Sequence, residues 1–293
     1  MQDALLITDS GCDLSRETLE EAGIDLLLLP YALDGEERLD GARQALSPDT
    51  FYDALRSGAR SSTSQVRPAD CEAAFRRAYD ADKSAILVTI SSGLSASYDT
   101  ALMARERFLQ EFPQARIHVV DSLSVSAGQG LLVMEMARKL ADGASADAVV
   151  EWAEDNRLRV NAVFTVDSYE YLVRGGRVSP AVAAAGSVLS IKPVLQVDAE
   201  GRLATFKKVQ GRRRALSALT DATAERITNH QEQTILINHA QCPEDADALI
   251  HMLQERVEAQ AIGVGRIGVI IGTHVGPGGL IVAFWGRPRT SYA

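Results

Sequence analysis

The chain has 293 residues, of which 46% are hydrophobic, 5% are aromatic and 24% are charged, and its formal net charge at pH 7 is −9. This length and composition predict an ordinary folded protein, most naturally of two domains, and exclude a largely disordered chain. The acidic balance argues against nucleic acid as a partner, and no apolar run is long enough to span a bilayer.

The first half of the chain alternates short apolar runs with helical patterns. We predict strands at 4–8, 26–31 (broken by Pro30), 86–90 and 117–120, and a loop at 57–67. The predicted helices cover 15–22, 48–56, 69–79, a stretch ending near 109, 127–140 and 146–156. Polar residues follow three of the strands, at Asp9-Ser10, Ser91–Ser95 and Asp121-Ser122, which is typical of a parallel α/β sheet.

The second half has a different pattern. We predict strands at 162–166, 194–197, 202–208, 234–238, 267–271 and 282–285, with helices at 180–189, 213–227 and 245–258. The turn residues 198–201 predict an antiparallel hairpin. We therefore expect an N-terminal parallel α/β domain, residues 1–157, and a C-terminal α+β domain, residues 158–293.

Positive charge is concentrated in one segment. Residues 171–214 contain nine Lys or Arg and two acidic residues, so the rest of the chain is strongly acidic. This pattern fits either a solvated surface or a docking face for an anionic partner.

No cofactor or metal site is expected. Gly263-x-Gly265-x-x-Gly268 matches a dinucleotide fingerprint, but we predict a strand after it where the motif requires a helix. The five histidines are scattered, and the three cysteines are far apart without a Cys-x-x-Cys pair. This cysteine pattern argues against a disulfide framework and favours a cytoplasmic protein.

A serine hydrolase is one interpretation of the polar residues. Ser95, His274 and Asp9 supply the residue types of a catalytic triad, but the chain has no Gly-x-Ser-x-Gly elbow. Serine-rich junctions between a strand and a helix are also common helix caps.

An anion-binding site is the second interpretation. Ser91–Ser95 lies where a strand leads into a helix, so backbone N–H groups there can bind a carboxylate or phosphate oxygen. Thr63-Ser64-Gln65 adds hydroxyl and amide donors. The glycines that follow His274 permit close approach of the backbone.

These segments, taken in order, resemble the DegV family, which includes the fatty-acid-binding subunits of bacterial fatty acid kinase. The matching stretches are Ile7-Thr8-Asp9-Ser10 with Asp13-Leu14, Thr63-Ser64-Gln65, Ile90–Ser95, Val120-Asp121-Ser122, Tyr171-Leu172 with Gly175-Gly176-Arg177, Ile191-Lys192-Pro193 and Ile271–Gly278. The likeness covers essentially the whole chain.

The resemblance implies two α/β domains with a long-chain fatty acid in a tunnel between them. It assigns the carboxylate to Thr63, Ser95, Ser92 and His274. The aliphatic run 181–189 fits either the tunnel lining or a tightly packed core helix. It also implies that the chain is not itself a catalyst. A partner kinase phosphorylates the carboxylate for phospholipid synthesis, and transient membrane contact is compatible with that role.

The resemblance places partner docking on four cationic side chains, Arg174, Arg177, Lys208 and Arg212. One departure concerns this surface, because Gln210 stands where family members often carry arginine. A hydrolase that uses Ser95 and His274, and a regulatory module for another anionic ligand, remain the alternatives.

Overall fold

The structure is a computed structural model that describes residues 3–41, 46–184 and 190–292. In the first half the strands are β1 (Ala4–Asp9), β2 (Ile24–Leu27), β3 (Pro30–Leu33), β4 (Glu36–Leu39), β5 (Ser61–Thr63), β6 (Ser84–Thr89) and β7 (Ile117–Asp121). The helices are α1 (Arg16–Glu21), α2 (Pro48–Arg56), α3 (Pro68–Asp80), α4 (Ser97–Glu111), α5 (Ala127–Ala141) and α6 (Ala146–Asn156).

The second half contains six strands and five helices within the described ranges. The strands are β8 (Val160–Thr165), β9 (Ile191–Val197), β10 (Leu203–Gln210), β11 (Thr234–His239), β12 (Ala261–Arg266) and β13 (Leu280–Trp285). The helices are α7 (Glu170–Arg174), α8 (Pro180–Ala184), α9 (Arg212–Arg226), α10 (Pro243–Gln254) and α11 (Val269–Val275).

Local sequence explains several helix starts in the first half. Ser15 and Ser47 each accept a hydrogen bond from the backbone N–H three residues later, as an N-cap does. Pro48 occupies the first helical position, where its missing N–H has no intrahelical partner to lose. The predicted starts of α1 and α2 are therefore confirmed.

The first large sheet is parallel. Its strand order is β2-β1-β6-β7, and every neighbouring pair runs in the same direction. All six residues of β6 are buried, as expected for a strand covered on both faces. The carboxyl ends of β1, β6 and β7 consequently lie at one edge of the sheet, which confirms the predicted parallel α/β element.

The second large sheet is mostly antiparallel. Its strand order is β10-β9-β8-β13-β11-β12, and only the β11–β12 pair is parallel. The predicted hairpin is the β9–β10 pair, with a register irregularity between Thr205 and Lys207. The two large sheets take their strands from residues 4–121 and 160–285, and the domain boundary at 157/158 stays a prediction.

One hydrophobic cluster extends across both sheets. It includes Ile7 and Leu87 from the parallel sheet, Phe164 from β8 and Ile271 from α11. A second cluster packs beneath α9 and α10. The two halves of the chain therefore share a core, and a binding site in that core draws residues from both.

A small third sheet was not predicted. Its order is β4-β3-β5, with Tyr31 opposite Thr63. The run predicted as a strand broken by Pro30 does form two strands, β2 and β3, but the break lies before Pro30, which begins β3 at a position where proline is tolerated in a sheet. The predicted loop at 57–67 is also wrong at its centre, because Ser61–Thr63 forms β5.

The predicted strand at 267–271 is wrong. That run belongs mostly to α11, which is buried from Val269 to Thr273, and a short apolar run does not distinguish a buried helix from a buried strand. Gly268 is therefore the N-cap of α11, so the glycine motif joins β12 to a helix and not to the predicted strand. Instead of a pyrophosphate, the Asp13 carboxylate accepts the Gly268 N–H at 2.9 Å.

The predicted alanine-rich helix is described only in part. α8 covers Pro180–Ala184, and residues 185–189 lie outside the described residues.

Within the described ranges, no helix combines the length and apolar character needed to cross a membrane.

Candidate ligand site

A cavity of about 200 Å³ lies among residues from both halves of the chain. Its apolar lining is aliphatic apart from Phe164 and includes Leu29, Ile90, Leu94, Val125, Leu172, Leu203, Ile270, Ile271, Val275 and Ile281. Its polar lining residues are Thr63, Ser64, Gln65, Ser95, Ser126, Arg177 and His274. This composition suits a ligand with a long apolar part and a small polar group.

The structure brings three of the predicted carboxylate-binding residues to this cavity. Thr63 is at the end of β5, Ser95 lies in the turn before α4, and His274 lies near the end of α11. The Thr63 hydroxyl and His274 Nε2 are 2.8 Å apart and hydrogen-bonded. Their assignment as ligand contacts stays a prediction, although their common position at the cavity agrees with it.

Backbone contacts hold the turn that carries Ser95. Asp9, at the end of β1, accepts the Ile90 N–H at 2.7 Å, and the Ser91 hydroxyl donates to the Gly201 carbonyl at 2.8 Å. Ser95 Oγ accepts the Ser97 N–H at 3.2 Å, so it also assists the start of α4. The helix-capping interpretation of this serine-rich turn is wrong, because Ala96 is the N-cap of α4 and makes no side-chain cap bond. Ser95 both accepts the Ser97 N–H and lines the cavity.

Ser92 is not part of this group. Its side chain is exposed, it does not line the cavity, and its backbone N–H donates to Asp121 Oδ1 at 3.1 Å. The turn directs Ser95 inward and leaves Ser92 outside, a distinction that the repeated serines in the sequence do not reveal.

His274 is uncharged at neutral pH. Burial, followed by the positive charge of Arg177, lowers the pKa of its imidazole to about 3. Gly175 packs directly against the ring, since a Cβ at that position would lie 2.0 Å from His274 Nδ1. His274 can therefore exchange a hydrogen bond with a ligand oxygen but brings no positive charge to it.

Arg177, predicted as a docking residue, also lies in the cavity wall. Its Nε donates to the Leu94 carbonyl at 3.0 Å, and its Nη1 donates to the Gly175 carbonyl. It also lines an outer pocket of about 440 Å³, together with Ser179 and Arg202. Arg177 thus lies between the cavity and the outer pocket. Among the lining residues that the structure describes, it is the one that carries a charge.

Two of the other predicted docking residues lie on the surface. Arg174 is exposed, forms an ion pair with Glu170 and lies 5.0 Å from the centroid of the Tyr171 ring. Lys208 is also exposed, on β10. Both side chains are accessible to a partner.

Unlike Arg174 and Lys208, Arg212 is largely buried, which does not fit its predicted role in docking. Its side chain is only 19% exposed and forms an ion pair with Asp245 at 2.9 Å. It also donates to the Gly278 carbonyl at 2.7 Å. Arg212 therefore holds the glycine loop that follows His274 against α10.

The proposed catalytic triad does not assemble. His274 Nε2 is bonded to Thr63, and Ser95 Oγ is bonded to Ser97 Oγ at 2.9 Å. The Asp9 carboxylate instead accepts N–H groups from Ile90, Gly11 and Gln129. These contacts do not support the hydrolase alternative.

The predicted aliphatic lining is also in a different place. The described side chains at 181–183 do not line the cavity, and Val182 is 42% exposed. Instead α11 supplies Ile270, Ile271 and Val275 together with His274. The spacing of these residues is that of one helix face, which is the signal that could have identified them.

The described residues offer no group of three or more His, Cys, Asp or Glu side chains that could hold a metal ion.

Comparisons with known proteins agree with this architecture. The sequence matches the model of the DegV family, described as an uncharacterised protein, over residues 4–285. A DegV domain-containing protein of Clostridium perfringens (strain 13 / Type A) is 40% identical over 289 residues, which cover 99% of this chain and 99% of that protein.

Solved structures show the same fold. A DegV family protein from Thermus thermophilus, described for its fatty acid binding, is 28% identical, with a TM-score of 0.86 and coverage of 97% of this chain and 99% of that chain. The Streptococcus pneumoniae fatty acid kinase B3 protein, loaded with linoleic acid, is 22% identical, with a TM-score of 0.83 and coverage of 97% and 99%. At that identity the second likeness concerns the fold alone. Together these likenesses confirm the predicted fold class.

Proposed function

This chain belongs to the DegV family, and from that premise we propose that it binds a long-chain fatty acid in the cavity between its two large sheets. The observation that carries the proposal is the convergence of Thr63, Ser95 and a neutral His274 at a cavity whose remaining lining is mainly aliphatic. The Thermus thermophilus protein described for fatty acid binding supports it, because it shares the fold at 28% identity.

Burial of the acyl chain supplies most of the expected affinity. Each buried CH₂ contributes about 0.8 kcal/mol, so a sixteen-carbon chain contributes about 11 kcal/mol before the costs of ordering are subtracted. Hydrogen bonds to the carboxylate add about 1.5–3 kcal/mol and chiefly fix its orientation. The apolar lining thus determines how tightly the ligand binds, and the hydroxyl groups determine which way it faces.

The polar end of the cavity suits a fatty acid whose carboxylate must remain accessible to a partner. Thr63 and Ser95 offer hydroxyl donors, and Arg177 brings a positive charge to the same wall. Ser64 and Gln65, which also line the cavity, are exposed, so this end is close to solvent. A carboxylate held here lies near the surface while its chain lies in the core.

We further propose that the chain presents this carboxylate to a fatty acid kinase catalytic subunit and leaves catalysis to that partner. The outer pocket behind Arg177 supports this step, because Arg202 and Ser179 also line it. The exposed cation Lys208 lies beside it, since its Nζ donates to the carbonyl of Val182, another lining residue, at 3.4 Å. Such a surface fits an acidic or phosphate-bearing partner. Because such a kinase would use ATP, we propose that both proteins act in the cytoplasm.

Native mass spectrometry of the protein purified without delipidation tests the proposal directly. We expect a mass increment equal to that of a long-chain fatty acid, which is lost on delipidation and regained when hexadecanoic acid is added. A protein that stays empty and fails to bind added hexadecanoic acid contradicts the proposal. An anionic ligand without an acyl chain would favour the regulatory module instead.

A further inference from the structure

Asp13 connects three parts of the chain that are distant in sequence. It follows the short 3₁₀ turn Ser10–Cys12 and has a left-handed backbone conformation, with φ of 53°. One carboxyl oxygen accepts the Gly268 N–H at 2.9 Å, and the other is hydrogen-bonded to the Ser126 hydroxyl at 2.5 Å. A single side chain thus joins the end of β1, the start of α5 and the start of α11.

The helix held by this contact forms one wall of the cavity. α11 is seven residues long, and Gly268 is its N-cap. His274 lies six positions after Gly268, which corresponds to about 9 Å along a helix. The position of the α11 amino terminus therefore decides where His274 lies relative to Thr63.

The surroundings of Asp13 leave it little freedom. A Cβ added to Gly268 would lie 2.9 Å from Asp13 Oδ1, so the close contact requires glycine there. Ser126 has φ of 52° and ψ of −132°, a rare conformation for a residue other than glycine, and its N–H donates to the Gly11 carbonyl at 2.8 Å. On the other side, the Tyr52 hydroxyl donates to the Ile267 carbonyl at 2.8 Å.

We propose that Asp13 is a positioning residue for the ligand site: it ties the amino terminus of α11 to the parallel-sheet half of the chain and thereby places His274 against Thr63. The rare backbone conformation of Ser126 is held at this one contact, which is characteristic of a functional site. The inference rests on the proposed function only for the identity of the ligand.

The Asp13 carboxyl group can accept the Gly268 N–H without carrying a charge. Asp9, Asp40 and Cys12 are close to Asp13, and burial raises the pKa of Asp13 to about 8, with smaller contributions from Asp40 and Asp9. The carbonyl oxygen of an asparagine side chain can also accept the Gly268 N–H. An Asp13→Asn variant should therefore keep α11 in place, whereas Asp13→Ala should release it.

The test measures the titration of His274 by NMR in the full-length protein, with His274→Gln used to assign its signal. In the wild type and in Asp13→Asn we expect His274 to stay neutral between about pH 5 and pH 8. In Asp13→Ala we expect it to gain water and titrate near its ordinary pKa of about 6.5. Asp155→Ala, an exposed acid on α6, is the matched control and should behave as the wild type.

Affinity for hexadecanoic acid is measured on the same variants. Asp13→Ala should bind about tenfold more weakly, and Asp13→Asn should stay within about threefold of the wild type. If Asp13→Ala does not fold, Gly268→Ala replaces it, because its added methyl group displaces the same carboxylate.

An unchanged His274 titration in the disrupting variant, or an unchanged affinity despite an altered titration, overturns the positioning role. A wild-type protein that fails to bind hexadecanoic acid refutes the proposed function, and the titration still decides whether Asp13 positions His274.

Discussion

Thr63 and His274 lie 211 positions apart in the sequence, yet the Thr63 hydroxyl and His274 Nε2 are separated by only 2.8 Å. One residue ends a three-residue strand of the small third sheet, and the other lies near the end of α11. Their contact closes the polar end of the cavity from two sides, so it is the natural place to test the proposed ligand orientation.

Replacing Thr63 with alanine should weaken fatty acid binding by about tenfold, which corresponds to about 1.4 kcal/mol. The variant loses a hydroxyl that can reach the carboxylate and leaves His274 Nε2 without this partner. Isothermal titration calorimetry with hexadecanoic acid measures the effect. Thr63→Ser, which retains the hydroxyl, should recover most of the affinity; equal losses in both variants would argue against a role for the hydroxyl.

Ser95 and Ser92 form a matched pair on one turn. Ser95→Ala removes a hydroxyl from the cavity lining and should weaken binding by about tenfold. Ser92→Ala changes an exposed side chain and should alter the affinity by less than about twofold. Fluorescence displacement of a bound fatty acid probe compares the two directly. Equal effects at both positions would mean that the turn moves when ligand binds.

Arg177→Ala should affect transfer more than binding. The guanidinium already donates to the Leu94 and Gly175 carbonyls, so we expect the affinity for hexadecanoic acid to stay within about fivefold of the wild type. Formation of acyl phosphate with a fatty acid kinase catalytic subunit and ATP should fall by at least about tenfold. Loss of fatty acid binding to the same extent would assign Arg177 to the ligand rather than to the partner.

Stability should fall as the pH rises from weakly acidic to weakly alkaline. Burial raises the pKa of Asp9 and of Asp40 to about 6 each, and that of Asp13 to about 8. A raised carboxyl pKa favours the protonated form in the folded state, so its stabilising contribution is complete below about pH 4 and is lost as the pH rises through the folded-state pKa.

Urea denaturation at several pH values measures this effect. Asp13→Asn carries no titrating carboxyl at that position, so its free energy of unfolding should fall less steeply than that of the wild type up to about pH 8. Parallel pH profiles for the two proteins would show that Asp13 does not carry the raised pKa.

Patterns with a local cause were predictable from the sequence. Ser47-Pro48 specifies the start of α2 through a cap and a proline, and the turn at 198–201 specifies the β9–β10 hairpin. Thr63, Ser95 and His274 were identified from a family resemblance, and the structure brings them to one cavity.

The features that could not be predicted from the sequence depend on contacts between residues that are distant in the chain. β5 forms because it pairs with Tyr31 and its neighbours, and the residues Ser61–Thr63 do not themselves indicate that pairing. α11 resembles a buried strand because its first residues form a short continuous apolar run, and the folded chain buries that run from Val269 to Thr273. The inward position of Arg177 likewise arises from the carbonyls of Leu94 and Gly175, which only the folded chain brings to it.

The hydrophobic cluster shared by the two sheets has a consequence for the lifetime of the protein. The cavity walls, among them Phe164 and Ile271, are members of that cluster, so an acyl chain would complete the core of the molecule. A ligand present at about a thousand times its dissociation constant stabilises the folded state by about 4 kcal/mol. Protein that has released its fatty acid would then unfold and be degraded sooner than the loaded protein. Its abundance would therefore follow the supply of fatty acid.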